Sequence, residues 1–316
     1  MSSSSISEGS RKRQELIDDL LERTSRTFAL AIPLLPEPTR QEVKIAYLLF
    51  RIADTFEDAG VHWQRNRQLE ALEEFAAILE NYARADVTDL AHSWLEPPPS
   101  SHQGYIDLLK ETPAVLEAWQ DLSRAARDVL GKDTIRTADG MAGFVRRTGP
   151  DHVLRLDNIP ELQAYCYVVA GIVGEMLTDL FLLNRDNLAP LTAFLSERAA
   201  KFGEALQLVN ILKDSASDAT EGRVYVPENL DRSKVFDLAR QDLAAAAEYS
   251  LAIQEAGGPG GIVAFTALPV ELAWATLDRV EEKGAGAKLS RAEVYFLDRR
   301  VKKAIAANRP AVSRLA

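Results

Sequence analysis

An acidic cluster interrupts an apolar segment in the first fifth of the chain. Asp54, Glu57 and Asp58 directly follow an apolar run at residues 45–53, which contains a single charge, Arg51. At helical spacing the three carboxylates share one face, where like charges repel each other. Two interpretations fit these residues: a solvated acidic helix face, or a site for a hard divalent cation. Mg²⁺ is the natural candidate, because it binds one or two carboxylates together with phosphate oxygens and water.

A second polar stripe lies about 160 residues further along the chain. Gln207, Asn210, Asp214 and Asp218 recur at helical spacing, and most of the residues between them are apolar. Carboxylates rarely enter such core-like positions without a partner. Two clusters of this kind indicate two helices that face each other across one acidic cavity, which favours the metal site over the solvated face.

Cationic side chains accompany both clusters. Arg51 and Lys213 lie within them, and Arg223 follows the second. Ser25 and Arg26, at the end of a predicted helix, would also reach phosphate oxygens. Arginine offers a bidentate fork to phosphate, whereas lysine acts as a point charge. With divalent cations, these groups would neutralise a diphosphate and make it a better leaving group.

Composition and charge limit the classes of function. The 316 residues are 47% hydrophobic and 27% charged, as in a globular protein with a substantial core. The net charge of −10 and the lack of a basic stripe argue against binding to nucleic acid. Cys166 is the only cysteine, which excludes an intramolecular disulfide and favours a reducing compartment.

Helical periodicity dominates the chain, and no segment alternates as a strand would. Neither a linker nor a change of composition divides the sequence. We therefore predict a disordered Ser-rich leader at residues 1–10 and a single all-α domain over residues 11–316. The helices are predicted near residues 12–24, 39–59, 62–84, 104–110, 113–130, 138–147, 160–184, 190–217, 234–256, 260–283 and 290–307.

No segment has the pattern of a signal peptide or a terminal anchor. The most apolar span, residues 162–183, approaches transmembrane length but contains Gln163, Glu175 and Asp179. Charges near the centre of a bilayer are costly, so we predict a buried helix of a bundle. We expect a cytoplasmic protein that contacts the membrane peripherally.

The apolar segment Tyr165–Gly174 combines aromatic and small residues. Small residues let a helix approach its neighbour or leave room for an apolar ligand, and aromatic faces stabilise cations. From the residues alone, Tyr165 is more typical of a core tyrosine with a satisfied hydroxyl. Cys166 is typical of an inert buried thiol, and the four histidines lack the spacing of ligands.

Together these segments resemble the squalene/phytoene synthase family of head-to-head prenyltransferases, over roughly residues 25–300. The matching motifs occur in the family's order, which makes the resemblance specific. It implies an all-α isoprenoid-synthase-type bundle around a central cavity. The motifs are Ser25–Phe28, Tyr47–Asp58, Tyr165–Gly174, Gln207–Asp218 and Arg223–Pro227.

The resemblance also implies roles for individual residues. Asp54 and Asp58 would bind Mg²⁺, and Tyr47 and Arg51 would contact diphosphate. Tyr165 would handle protons or stabilise a carbocation, and it joins the four motif aspartates as the implied catalytic set. The other implied metal ligands are Asn210, Asp214 and Asp218, and the other implied substrate contacts are Ser25, Arg26, Phe28, Gln207, Lys213 and Arg223.

The second motif departs from the family pattern Asn-x-x-Arg-Asp-x-x-Glu-Asp at two positions. Lys213 replaces the arginine and Ser217 replaces the glutamate. Lysine keeps the charge but loses the fork, so phosphate would be held less specifically. Asp214 and Asp218 remain one turn apart, and we expect metal binding to survive.

The product is implied by two further segments. Residues 263–277 resemble the matching helix of squalene-forming members, and Lys288 and Arg291 lie where those members have a basic segment linked to NADPH. The implied reaction joins two farnesyl diphosphates through presqualene diphosphate and reduces the product to squalene with NADPH.

Four alternatives to this reaction remain. The enzyme could form phytoene or dehydrosqualene, or release presqualene diphosphate. It could also transfer one prenyl group to a non-isoprenoid acceptor. A non-catalytic binding protein is the fourth, although such a protein would be expected to have lost its metal motifs. Neither the length of the prenyl chain nor the oligomeric state follows from the sequence.

Overall fold

The computed structural model of the chain describes residues 8–25, 28–82, 86–149, 151, 153–183, 185–227 and 230–314. These residues are helical apart from turns, loops and two short strands, so the predicted all-α fold is confirmed. They form two compact units, residues 1–33 with 37–139 and residues 34–36 with 140–316. The single domain over residues 11–316 stays a prediction.

The first unit contains seven helices and the beginning of an eighth within its described residues. The last residues of that eighth helix, α8, belong to the second unit. The helices are α1 (Glu8–Thr24), α2 (Phe28–Ala31), α3 (Thr39–Glu57), α4 (Arg65–Glu80), α5 (Val87–Ser93), α6 (Gln103–Lys110), α7 (Thr112–Gln120) and α8 (Arg124–Arg146).

The end of α3, which carries the first acidic cluster, is fixed from two sides. Phe56 packs against Trp63 and Trp94, with ring centroids 5.8 and 4.9 Å away. From α4, the buried Gln68 donates to the main-chain carbonyls of Phe56 and Glu57, at 3.2 and 2.6 Å. Carbonyls in the last turn of a helix lack partners within that helix. These bonds satisfy two of them and hold the acidic cluster in place.

The second unit contains six complete helices and a short parallel strand pair among its described residues. Leu154 pairs with Arg223 in that strand pair. A π-helical turn at Tyr167–Gly171 joins α9 to α10. The elements are β1 (Leu154–Arg155), α9 (Ile159–Cys166), α10 (Ile172–Leu182), α11 (Thr192–Thr220), β2 (Arg223–Val224), α12 (Arg232–Glu255), α13 (Gly260–Lys283) and α14 (Arg291–Ala306).

Two helical stretches in the described chain are long and apolar enough to cross a membrane. They are Ile159–Leu182 and Gly260–Lys283, and 56% and 72% of their most apolar windows are buried inside the protein. The second also carries Glu271, which is 3% exposed. Such burial is typical of core helices, in agreement with the helix predicted at residues 162–183.

Glycines bring the π-helical turn and α10 into backbone contact with α11. A Cβ atom on Gly174 would lie 1.9 Å from the carbonyl oxygen of Ala199, and one on Gly203 would lie 1.9 Å from that of Ala170. Neither position leaves room for a side chain. Of the two roles that the sequence left open for the small residues of this segment, close approach to a neighbouring helix is present at Gly174.

A buried charge cluster links α11 to α12. The Lys201 ammonium lies 2.7 Å from a carboxylate oxygen of Glu204 and 3.4 Å from Oδ1 of Asp242. Among the atoms that the structure describes, Asp242 Oδ2 has no hydrogen-bond partner. Burial raises the pKa of Asp242 to about 6, and Lys201 offsets part of this effect. Burial and the two carboxylates raise the pKa of the Cys166 thiol, which supports its predicted inertness.

Two predicted helix boundaries are wrong. The helix predicted at residues 113–130 ends early, at Gln120, which is the end of α7. The next helix, α8, then runs from Arg124 to Arg146 without the break predicted before residue 138. Ser123 accepts a hydrogen bond from the Ala126 amide at 3.2 Å and so caps the start of α8. Gly131, a weak helix former, lies within α8 close to the buried Trp119, and a Cβ atom at this position would lie 3.0 Å from the Trp119 ring. Packing therefore overrides local propensity.

Replacing Gly203 by alanine is expected to destabilise the protein by more than about 2 kcal/mol, because the new methyl group would meet a main-chain carbonyl. Gly143→Ala is the control, since a Cβ on this α8 glycine has no atom within 4 Å. We expect that control to be neutral or stabilising by up to about 1 kcal/mol. Denaturant unfolding measures both effects, and equal losses would contradict the packing described.

The raised pKa of Asp242 predicts a pH-dependent stability difference. An unfolded aspartate ionises near pH ~3.9, whereas Asp242 in the folded protein ionises near pH 6. The native state therefore loses stability as the pH rises from about 4 to about 6, by up to about 3 kcal/mol. Asp242→Asn cannot ionise, so its unfolding free energy relative to wild type should rise across that window.

Asp237→Asn provides the matched control on the same helix. Asp237 is exposed and pairs with Arg240 at 3.0 Å. Asp237→Asn should not reproduce the rise expected for Asp242→Asn over this pH range. A constant stability difference between Asp242→Asn and wild type would show that burial does not perturb the carboxyl group of Asp242.

Candidate active site

Arg51 on α3 is held between two tyrosine rings. Its guanidinium carbon lies 5.5 Å from the ring centroids of both Tyr47 and Tyr105, a cation–π geometry. Its Nε donates to the Tyr47 hydroxyl at 3.3 Å, and that hydroxyl donates to the carbonyl of Thr24 at 2.7 Å. Its Nη1 lies 3.3 Å from Oδ2 of Asp54. Arg51 and Asp54 therefore form an ion pair within the first motif.

The electrostatics of this pair favour a further cation. Burial raises the pKa of Asp54 to about 6; Arg51 counteracts this shift, and Asp58 adds to it. Burial tends to lower the pKa of Arg51, but Asp54 and the tyrosines keep it above its ordinary value. The Asp54 side chain is still 31% exposed. A divalent cation could reach it and replace the solvation that the carboxylate has lost.

Asp58 lies one turn further, at the C-cap of α3, and is exposed. Its main-chain amide donates to the carbonyl of Asp54. Glu57 between them is half-buried. The first motif thus offers one partly buried and one exposed carboxylate on successive turns, an arrangement that Mg²⁺ with solvent and phosphate can accept.

The N-terminal motif residues lie beside Tyr47. The Ser25 hydroxyl accepts a hydrogen bond from the Phe28 amide at 2.9 Å, and the Phe28 ring lies 5.7 Å from the Tyr47 ring. Ser25 therefore binds the first amide of the short helix α2, and its predicted contact with phosphate stays a prediction. Arg26 lies outside the described residues.

In the second motif, Lys213 bridges two of the predicted metal ligands. Its ammonium lies 3.0 Å from Oδ2 of Asp214 and donates to Oδ1 of Asn210 at 3.2 Å. The Asp214 side chain is 38% exposed. Ser217, which replaces the family's glutamate, donates its hydroxyl to the carbonyl of Asp214 at 2.8 Å. It therefore supports the helix backbone and adds no carboxylate. Gln207, one turn before Asn210, is half-buried.

The C-terminal part of α11 is held by its neighbours. Arg232 of α12 donates to the carbonyl of Leu212 at 2.7 Å and to the Ser215 hydroxyl at 3.2 Å. The amide of Gly286 donates to the carbonyl of Lys213 at 2.7 Å. Gly286 has a φ of +83°, a backbone conformation that favours glycine.

A cavity of about 420 Å³ opens beside this part of α11 in the second unit. Asp218 lines it, so a predicted metal ligand borders a space that can hold a ligand. Arg223, just outside the cavity, forms an ion pair with Glu221. The polar lining consists of Ser215, Asp218, Tyr225 and Arg232, and the rest of the lining is mainly apolar.

Tyr165 forms a buried pair with Tyr225. The Tyr165 hydroxyl donates to the Tyr225 hydroxyl at 2.8 Å, and the rings stack with centroids 4.5 Å apart. Phe144 contacts the Tyr165 ring edge-on at 5.1 Å. Tyr225 also lines the cavity, so the hydroxyl of Tyr165 contacts a residue that borders this space.

Sequence reasoning missed Tyr105 and Tyr225 as site residues. Tyr225 lies in the Arg223–Pro227 segment, and its position two residues after Arg223 in an extended segment was the available signal. Tyr105 lies on a different helix from Arg51, and no local pattern marks it.

Lys288 and Arg291, which were predicted to contact NADPH, are both exposed near the start of α14. Their role stays a prediction.

The donor atoms of both motifs fit Mg²⁺. Within the described part of the chain, no three His, Cys, Asp or Glu side chains cluster closely enough to bind a metal alone. The motifs supply only oxygen donors, from Asp54 and Asp58 in one unit and from Asn210, Asp214 and Asp218 in the other. Mg²⁺ binds few protein ligands and completes its shell with phosphate and water. The prediction that both motifs line one cavity stays a prediction.

Residues 21–246 match the sequence profile of squalene/phytoene synthases, which is well over half of the chain. This chain belongs to the squalene/phytoene synthase family. Relatives include Botryococcus squalene synthase from Botryococcus braunii, 29% identical over 64% of this chain and 39% of that protein. Another is the squalene synthase of Schizosaccharomyces pombe, 29% identical over 67% of this chain and 43% of that protein. The match thus spans about two-fifths of these family members' length.

Solved structures share the fold. A complex of TcSQS with a ligand is 26% identical, with a TM-score of 0.71 over 92% of this chain and 86% of that one. A dehydrosqualene synthase in complex with a ligand is 19% identical, with a TM-score of 0.61 over 94% and 98% of the two chains. These similarities confirm the predicted isoprenoid-synthase-type fold.

Arg51→Gln is expected to weaken the binding of inorganic diphosphate in the presence of Mg²⁺ by about tenfold or more, because a charge-assisted hydrogen bond is lost. Arg67→Gln is a matched control, since Arg67 is equally exposed at 24%, lies 5.2 Å from the Trp63 ring and pairs with Glu74. Titration calorimetry gives both affinities. Equal weakening by the two variants would show that Arg51 has no special role.

Proposed function

We propose that this protein is a Mg²⁺-dependent prenyltransferase that condenses two prenyl diphosphates head to head. The observation that carries the proposal is that each aspartate motif holds a cation on its own helix. Arg51 lies 3.3 Å from Asp54, and Lys213 lies 3.0 Å from Asp214. Membership of the family and the squalene synthases among its relatives support this assignment.

In the first motif, protein groups bind and orient the diphosphate. Arg51 supplies the fork for phosphate oxygens, and the rings of Tyr47 and Tyr105 restrict its movement. Asp54 and Asp58 supply oxygen donors on successive turns. Bound Mg²⁺ would neutralise diphosphate charge and so improve the leaving group.

In the second motif, the Lys213 ammonium and a metal ion would compete for the same oxygen ligands. Asn210 and Asp214 both contact the Lys213 ammonium. If these two residues and Asp218 bind metal, the ammonium group of Lys213 is released and becomes available to a phosphate oxygen. Lys213 would then pair with the acidic motif before the metal binds and with the diphosphate afterwards. This would preserve charge balance despite the missing arginine fork.

Departure of one diphosphate leaves an allylic carbocation, which the double bond of the second molecule attacks. Closing the cyclopropane ring of the condensed product then releases one proton. The buried hydroxyl pair of Tyr165 and Tyr225 is the proposed route for that proton, since Tyr225 lines the cavity beside Asp218. The stacked rings also offer π-faces to a nearby cation.

For substrate and product, we propose farnesyl diphosphate and squalene, with NADPH as the hydride donor. The support is that the curated relatives described above are squalene synthases, and that Lys288 and Arg291 offer exposed positive charge near the start of α14. The alternatives are phytoene, dehydrosqualene, free presqualene diphosphate and a prenylated non-isoprenoid acceptor. They differ in the lipid that accumulates.

Purified protein incubated with farnesyl diphosphate and Mg²⁺ should form squalene when NADPH is present, and chelation should stop turnover. We expect Asp54→Ala and Asp214→Ala each to lower kcat by about a thousandfold or more, a loss of at least about 4 kcal/mol of transition-state stabilisation. Asp128→Ala, which removes an exposed carboxylate paired with Arg124, is the control and should retain activity.

Mass spectrometry of the extracted lipids identifies the product. Turnover that survives chelation and both aspartate substitutions would contradict the metal assignment. A product and yield independent of NADPH would overturn squalene as the product and leave the condensation in place.

A further inference from the structure

The helix α14 presents two adjacent aromatic side chains to solvent. Tyr295 is 61% exposed and Phe296 is 65% exposed. Large aromatic side chains normally contribute to a core, so two neighbours left on the surface of one helix form a concentrated apolar patch. Such patches mark surfaces that meet another apolar phase.

Cationic side chains continue the same face of α14. Arg299 follows Tyr295 by four residues and Phe296 by three, and Lys302 and Lys303 lie one further turn along. All three are exposed. The Arg299 guanidinium lies 5.7 Å from the Tyr295 ring and donates to its hydroxyl at 3.3 Å. We call these five residues the outer face of α14.

The charge of α14 differs in sign from that of the chain. The helix carries five Lys and Arg and two acidic residues, which gives +3, whereas the whole chain carries −10. Its two carboxylates are engaged locally, because Asp298 pairs with Lys302 at 2.8 Å and Glu293 pairs with Arg279 of α13. Arg299 and Lys303 therefore dominate the outward charge.

The opposite side of α14 fixes this orientation. Leu297 and Val301 are buried, and Arg300 forms an ion pair with Glu271, a buried residue of α13. Turning the outer face inward would expose both aliphatic side chains and separate the buried Glu271 carboxylate from its cationic partner, which is costly. The aromatic and cationic side chains thus stay directed to solvent.

We propose that the outer face of α14 docks on an anionic lipid bilayer. Tyr295 and Phe296 would enter the headgroup region, and Arg299 and Lys303 would contact lipid phosphates. Aromatic residues flanked by cations on one face of a helix are typical of interfacial helices. Complementary charge selects the partner, because a bilayer rich in anionic lipid attracts this face of a protein whose net charge is negative. The inference does not rest on the proposed reaction, since lipid binding is measured without substrate.

The test is co-sedimentation of the full chain with lipid vesicles. Vesicles of phosphatidylcholine mixed with phosphatidylglycerol should bind the protein, and pure phosphatidylcholine vesicles should bind it at least about fivefold less. Raising the salt concentration should weaken binding. Tyr295→Ser with Phe296→Ser should reduce binding about tenfold, and Arg299→Gln with Lys303→Gln should remove the preference for anionic vesicles.

Matched controls use exposed residues elsewhere in the chain. Leu30→Ser with Val61→Ser removes two other exposed apolar side chains, and Lys110→Gln with Arg124→Gln removes two other exposed positive charges. Neither control should change vesicle binding. Thermal unfolding of each variant verifies that it is folded.

Four outcomes would overturn the proposal. The wild-type protein could fail to bind anionic vesicles, or bind neutral ones equally well. The control variants could lose as much binding as the α14 variants. Finally, the Tyr295 and Phe296 substitutions could change the oligomeric state in size-exclusion chromatography without changing vesicle binding, which would make this face a contact between two copies of the chain.

Discussion

A carboxylate in apolar surroundings needs a positive partner, and this constraint shapes the polar interior of both units. Asp54 has Arg51 at 3.3 Å, Asp214 has Lys213 at 3.0 Å, and Asp242 has Lys201 at 3.4 Å. The first two carboxylates are 31% and 38% exposed, whereas Asp242 is closed to solvent. Of these three pairs, the two accessible ones are those in which we propose that a metal ion replaces the protein cation. Accessibility therefore separates the candidate metal ligands from a buried structural charge.

The surrounding elements keep these accessible pairs in fixed positions. In the first unit, Gln68 caps the end of α3 and an aromatic cluster packs against Phe56. In the second unit, Gly203 lets α11 approach its neighbour closely, and Arg232 binds carbonyl and hydroxyl oxygens near the motif. Each helix held in this way presents its own carboxylates at a constant spacing. A cation with strict coordination geometry requires such a spacing.

The sequence predicts those features that repeat locally and misses those that depend on packing between distant segments. Helical spacing placed Asp54 and Asp58 on successive turns and gave the range of α13, because both follow from the 3.6-residue period. It could not give the partner of Tyr165, the second ring around Arg51, or the pairing of Lys201 with Asp242. It also placed a continuous helix across residues 121–123, where α7 ends and Ser123 caps the start of α8.

We propose that the two accessible carboxylate pairs open to bind a divalent cation together with diphosphate. A crystal structure with Mn²⁺ in place of Mg²⁺ and with inorganic diphosphate tests it most directly, because Mn²⁺ gives an anomalous signal. We predict metal peaks about 2.1 Å from carboxylate oxygens of both motifs, with the Lys213 ammonium moved away from Asp214. Peaks at neither motif, with the Arg51 and Lys213 ion pairs still closed around bound diphosphate, would contradict the account.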